Sequence, residues 1–128
     1  MQDLIEEGNF NEEDSERGWR VGNFIKGRPN FRTSCAEFQW NFDIEEGDSK
    51  SKVAYNKKGS TLTVLVDGEM EIEFPHENRS VTLKKEGDYA FFAPGVCHTW
   101  KTKKPTKMVG IRWPSIESDQ VECDHKLT

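Results

Sequence analysis

Long apolar runs are missing from this chain: nowhere in its 128 residues are there the roughly 18 consecutive apolar positions that a membrane-spanning helix needs. No membrane association is expected. Leu4 and Ile5 are followed directly by Glu6 and Glu7, so the N-terminus lacks the basic and apolar regions of an export signal, and a single-domain cytoplasmic protein is expected. Cysteine is scarce. Cys35, Cys97 and Cys123 are odd in number and widely spaced, with no C-x-x-C pair to suggest a zinc knuckle or redox motif, and they are expected to be reduced thiols. Basic charge is also short. A net charge of −5, without a nucleic-acid-binding motif, argues against a nucleic-acid polymer as partner, because phosphate contacts need a basic footprint. Helical periodicity is nearly absent too, and without crossover helices a parallel α/β fold is excluded.

What is present is a polar composition, 34% hydrophobic and 32% charged, with 8 Phe and 4 Trp that predict an aromatic-rich core. Charge is segregated: residues 1–48 carry 5 basic and 12 acidic side chains, residues 49–114 carry 12 and 7, and residues 115–128 carry 1 and 4. Either the acidic ends lie against the basic middle, or against a partner's, or the charges are ordinary solvated surface. Residues 1–18 read as a polar acidic arm with at most a short turn, residues 19–114 as the domain, and residues 115–128 as a polar tail.

Within the domain the signal is strand after strand. Phe38, Trp40 and Phe42 alternate with Glu37, Gln39 and Asn41, the period-2 pattern of a strand with one buried face. Leu62 to Val66 and Met70 to Phe74 flank Asp67-Gly68, which predicts a hairpin because Asp-Gly supplies the positive φ angles of a two-residue turn. Met70, Ile72 and Phe74 fall on one face and three glutamates on the other. Short strands follow at Val81 to Leu83, Tyr89 to Phe92, Cys97 to Thr102 and Lys107 to Trp113, separated by Gly and Pro turns. The expectation is an all-β antiparallel sandwich or barrel.

The segment Gly87-Asp88-Tyr89-Ala90-Phe91-Phe92-Ala93-Pro94-Gly95-Val96-Cys97-His98 resembles the second signature motif of the cupin superfamily, G-x5-P-x-G-x2-H-x3-N. Gly87, Gly95 and His98 are in register. Ala93 stands at the proline position, with Pro94 one place later, and Thr102 replaces the Asn. The first motif sets two histidines and a glutamate between two glycines, and it can be laid from Gly47 to Gly68. Its histidine positions fall on Val53 and Tyr55 and its glutamate position on Thr61. The resemblance, over Gly47 to Trp113, implies a jelly-roll β-barrel, a fold that serves many activities.

A metal-bearing cupin would use three His and one carboxylate. Here only His98 matches, and one imidazole does not hold a transition metal against water. His76 lies in the loop from Pro75 to Arg79 and His125 in the tail, neither placed to complete the set. No metal and no cofactor are therefore expected. In the same register Tyr55, Thr61, Thr63, His98 and Trp100 should face the barrel interior, as a small-molecule pocket or as side chains that fill the barrel and satisfy one another. Arg112, inside an apolar strand, needs an anionic partner if it faces inward, and is a candidate anion anchor. A catalytic pair of Cys97 and His98 is disfavoured because neighbouring strand residues face opposite sides.

Three functions follow. The first is a metal-independent protein that binds a small polar or anionic metabolite through Tyr55, Thr61, Thr63, His98, Trp100 and Arg112. The second is a metal-independent isomerase, epimerase or lyase with His98 and Tyr55 as acid/base pair. The third is a metalloprotein with rearranged ligands. A homodimer is expected, since cupins of this size often pair and pairing covers sheet edges.

Overall fold

The computed structural model describes residues 4–49 and 52–123. Among them ten strands follow one another: β1 (Trp19–Val21), β2 (Glu37–Ile44), β3 (Ala54–Asn56), β4 (Ser60–Asp67), β5 (Met70–Phe74), β6 (Arg79–Leu83), β7 (Tyr89–Phe92), β8 (Thr99–Thr102), β9 (Thr106–Trp113) and β10 (Gln120–Glu122). Helix is confined to the single 3-10 turns Phe10–Glu12, Pro29–Phe31 and Pro75–Glu77, and no helix among the described residues is long and apolar enough to cross a membrane. One antiparallel sheet has the order β1-β2-β9-β4-β7. Opposite it stand β6-β5-β8 and β10-β3, joined into one layer by the Ala54 to His98 bridge. The result is a jelly roll, the all-β architecture that the resemblance to cupins implies.

The core lies between the layers, built from Ile44, Leu65, Met70, Ile72, Phe74, Leu83, Ala90, Phe92 and Met108. Strand β5 behaves as its alternation predicts, with Met70, Ile72 and Phe74 buried and Glu71 and Glu73 turned out. The hairpin does not form. Although Asp67-Gly68 carries the turn chemistry, β4 pairs with β7 and β9, while β5 pairs with β6 and β8 in the other layer. Gly68 has φ +104°, and a Cβ there would lie 2.5 Å from the Pro105 carbonyl oxygen, so this glycine turns a corner between sheets against the start of β9. Turn chemistry sets local dihedrals. Pairing is decided by burial: both strands have an apolar or small inner face, and facing each other across the core covers both.

The aromatic-rich core is corrected in the same way. Only Phe74 and Phe92 among the aromatics are buried in it, with Trp100 packed alongside. Phe38 and Trp40 lie on the outer face of β2, because the pairs Asn41 to Met108, Gln39 to Gly110 and Glu37 to Arg112 put the polar set on the core side. The acidic arm covers the outer aromatics. Phe10 sits 6.1 Å from Phe38, 6.5 Å from Trp40 and 6.0 Å from Phe31, while the Trp40 indole N–H donates to Asn11 Oδ1 at 2.8 Å. Arm carboxylates Glu6 and Glu13 pair with Arg28, a residue of the same acidic third rather than of the basic middle.

Residues 115–123 of the C-terminal tail also join the barrel. Strand β10 pairs with β3, and buried Asp119 accepts from the backbone N–H groups of Lys58 and Gly59 at 2.9 Å each. Just beyond it, Cys123 is joined to Cys97 by a disulfide, which corrects the expectation of reduced thiols; Cys35 is free and exposed. Spacing did not flag this pair because its members are 26 residues apart and meet only when β10 docks beside β3.

Candidate functional site

Three adjacent strands build the inner wall. On β9 the residues Met108, Gly110 and Arg112 share one face, and across from them stand Leu65, Thr63 and Thr61 of β4 and Asn41, Gln39 and Glu37 of β2. Directly opposed residues in an antiparallel sheet project to the same side, so the wall grades from apolar at Leu65 and Met108 to polar at Thr61, Arg112 and Glu37. Gly110 makes the middle rung possible, since a Cβ there would meet Gln39 Oε1 at 2.9 Å. Phe92 lies beside Thr61 on β7, and the opposite layer contributes Ile72, Trp100 and His98.

The polar end is organised around Arg112. Its Nε lies 2.7 Å from Glu37 Oε1, an ion pair without an aligned hydrogen bond, and its guanidinium carbon lies 4.2 Å from the centre of the Trp19 ring. Burial pushes the Arg112 guanidinium below its ordinary value, and the Glu37 charge pulls it back up. Glu37 is itself held: Oε2 accepts from Ser115 Oγ at 2.8 Å, and Ser115 Oγ accepts from the backbone N–H and the side-chain amide of Asn23. This chain fixes the cation against the wall. Beside it, Thr61 Oγ1 is buried without a hydrogen-bond partner.

His98 is buried, 6% exposed, with Nδ1 3.1 Å from the Val96 carbonyl oxygen and its ring 4.3 Å from that of Phe92. Gly87 and Gly95, with φ of +91° and +85°, make the two turns that bring it there. Thr61, Thr63, His98, Trp100 and Arg112 line the inner part of an open cavity of about 1240 Å³, which also takes in the outer face of β2 at Trp40 and Phe42 and the arm at Phe10.

Tyr55 does not line it. The Ala54 to His98 bridge puts Ala54 on the imidazole's side of the layer, so Tyr55 points the other way, and Lys52 rather than Val53 reaches the cavity. At the two histidine positions the motif alignment is one residue out, whereas Thr61, set by the same alignment, does face inward; a one-residue slip exchanges the two faces of a strand. The His98 and Tyr55 acid/base pair is therefore not assembled. Sequence reasoning missed Glu37, Trp19 and Ser115. The first had a signal: an inward arginine requires a carboxylate, and Glu37 heads the polar face of β2.

The inner wall does not fit a centre of three His and one carboxylate. His98 is the one motif ligand retained, and the carboxylate on the facing wall, Glu37, is engaged by Arg112 and Ser115. Among the described residues the convergent donor trio is His76, Cys97 and Cys123, which is not in the cavity lining. His125 lies outside the described residues.

The sequence matches no protein-family model and no curated protein. Solved structures do match. A Klebsiella pneumoniae protein with a double-stranded β-helix domain superposes with TM-score 0.68 at 16% identity, covering 96% of this chain and 99% of that one. A cupin superfamily protein from Desulfitobacterium hafniense gives 0.55 at 23% identity, over 64% and 70% of the two chains. The chain has a cupin fold. The DMSP lyase DddQ from Ruegeria pomeroyi is a further cupin-fold neighbour, with TM-score 0.58 and 18% identity over 79% of this chain and 49% of the lyase. At such identities the likeness concerns the fold, and the site is argued from its own residues.

Proposed function

We propose that this cupin binds one small polar molecule in its barrel interior, with Arg112 and Thr61 meeting an acceptor group of the ligand and Ile72, Phe92, Trp100 and Met108 covering its apolar part. The observation that carries the reading is the polar end of the cavity. A buried hydroxyl without a partner stands across the sheet from an arginine whose orientation is fixed by Glu37 and Trp19. Polar groups held in this way ahead of ligand spend little free energy on ordering when it arrives. Because Glu37 offsets the charge of Arg112, a polar neutral ligand or a monoanion suits the site better than a polyanion. Thr63 and His98 add hydrogen-bonding capacity on two sides, and the reading needs neither a metal nor a cofactor.

Calorimetry against sugars, nucleotides and organic acids tests it. Saturable 1:1 heat with one class is expected, with affinity falling about 10-fold in Thr61→Val, which removes a hydrogen bond at nearly constant shape. Arg112→Met should remove binding. Absence of heat across the panel, or unchanged affinity in both variants, would contradict the proposal.

We further propose that the protein acts as a cytoplasmic homodimer. Edge strand β7 carries Tyr89 and Phe91, 66% and 53% exposed, and Trp113, 40% exposed, stands 6.2 Å from Phe91. A second copy of the same edge would cover all three by two-fold pairing. Light scattering should give twice the 14.8 kDa chain mass, and Phe91→Lys should give the monomer mass; a monomeric parent chain would refute the pairing.

A further inference from the structure

Outside the cavity, three distant segments bring soft donor atoms together. His76 stands on the turn Pro75–Glu77 that joins β5 to β6, Cys97 immediately precedes His98, and Cys123 follows β10, anchored by its N–H to the Val53 carbonyl oxygen at 2.8 Å. A ring nitrogen of His76 and the two sulfurs all lie within 4.8 Å of one another. Cys97 and Cys123 are buried, at 4% and 5% exposure, and His76 is exposed at the rim. We propose that the reduced form of this Cys97 and Cys123 pair binds a zinc ion together with His76, so that the C-terminal strand is held to the barrel by a disulfide when oxidised and by a metal when reduced.

The chemistry favours this ion. Two thiolates and one imidazole are a soft set that suits zinc, with ligand bonds of about 2.3 Å to sulfur and 2.0–2.1 Å to nitrogen. Tetrahedral geometry then puts the sulfurs about 3.8 Å apart, and the Cys97 and Cys123 Cα atoms are already 6.3 Å apart. Two thiolates neutralise the divalent charge, which removes the cost of burying either thiolate alone. A fourth position stays open on the side of exposed His76. Adjacent Cys97 and His98 project to opposite sides, so this ion would sit apart from the cavity, and the inference is independent of the ligand proposal above.

The steps balance. A dithiol reductant attacks the disulfide and leaves as its own cyclic disulfide, delivering two electrons and two protons to give two thiols. Zinc then takes the place of those two protons, which pass to solvent. In a reducing compartment the dithiol form would persist and the metal would replace the covalent tie.

The test uses the full chain with Cys35→Ser, which removes the free thiol. After reduction with a phosphine under argon, Co²⁺ should bind at one ion per chain with thiolate-to-cobalt charge-transfer absorption, and Zn²⁺ should displace it. The oxidised chain should show no such absorption. His76→Ala should melt like the parent when oxidised, showing an intact fold. When reduced, it should lose zinc affinity by more than about 10-fold, the scale set by removal of even an outer-shell partner. No charge-transfer band in the reduced chain, or zinc affinity unaffected by His76→Ala, would overturn the proposal.

Discussion

Replacing Glu37 by alanine is expected to destabilise the protein by about 3–5 kcal/mol, the range for removing one partner of a buried ion pair. The Glu37 side chain is 8% exposed and that of Arg112 18%, so solvent screens the pair little. Removal of the carboxylate strands two groups. Arg112 keeps its charge with the Trp19 ring and the weaker pull of the Asp119 carboxylate, and the Ser115 hydroxyl loses the acceptor that lets it serve both donors of Asn23. Joint replacement by Glu37→Leu and Arg112→Met should recover much of the loss, because a well-packed apolar pair avoids desolvating both ions. Urea denaturation of the two variants checks this. A loss below about 1 kcal/mol in Glu37→Ala would show that Arg112 finds solvent or another partner.

Reduction of the Cys97 to Cys123 disulfide, with a chelator present to exclude metal, is expected to lower stability by roughly 3.5 kcal/mol. The figure follows from loop-closure entropy for a sequence separation of 26 residues. Strand β10 should stay docked at first, because its pairing with β3 and the Asp119 contacts to the turn at Lys58 and Gly59 do not depend on sulfur. Denaturation of the Cys123→Ser chain should give a similar value. A change under about 1 kcal/mol would mean that these contacts alone restrain the unfolding chain.

Much of this fold is legible in the sequence, and the failures share a physical origin. Gly87, Gly95 and His98 were readable because positive φ and a fixed spacing leave few alternatives, and both glycines take that conformation. The alternation on β5 was readable since one of its faces meets solvent. On β2 neither face of residues 38 to 42 is fully buried or exposed. Period-2 patterning finds such a strand but does not say which side is inside, and the arm's Phe10 and Phe31 let the aromatic side face outward. Tyr55 failed by one residue of register. At Asp67-Gly68, local turn chemistry was right and long-range pairing wrong. The disulfide depends wholly on tertiary contact. Arg112 was the most informative residue: its place in an apolar strand demanded a carboxylate, and the fold supplies Glu37.

The central claim is that the inner face of β4, with its neighbours, forms a ligand site. Methyl-labelled NMR of the protein, titrated with the strongest calorimetric binder, tests it most directly. Ligand should shift the methyl resonances of Thr61, Thr63 and Met108 and spare those of Leu62 and Val64, which lie on the opposite, half-buried face of β4. Shifts confined to Leu62 and Val64, or no methyl shifts at saturating ligand, would contradict it.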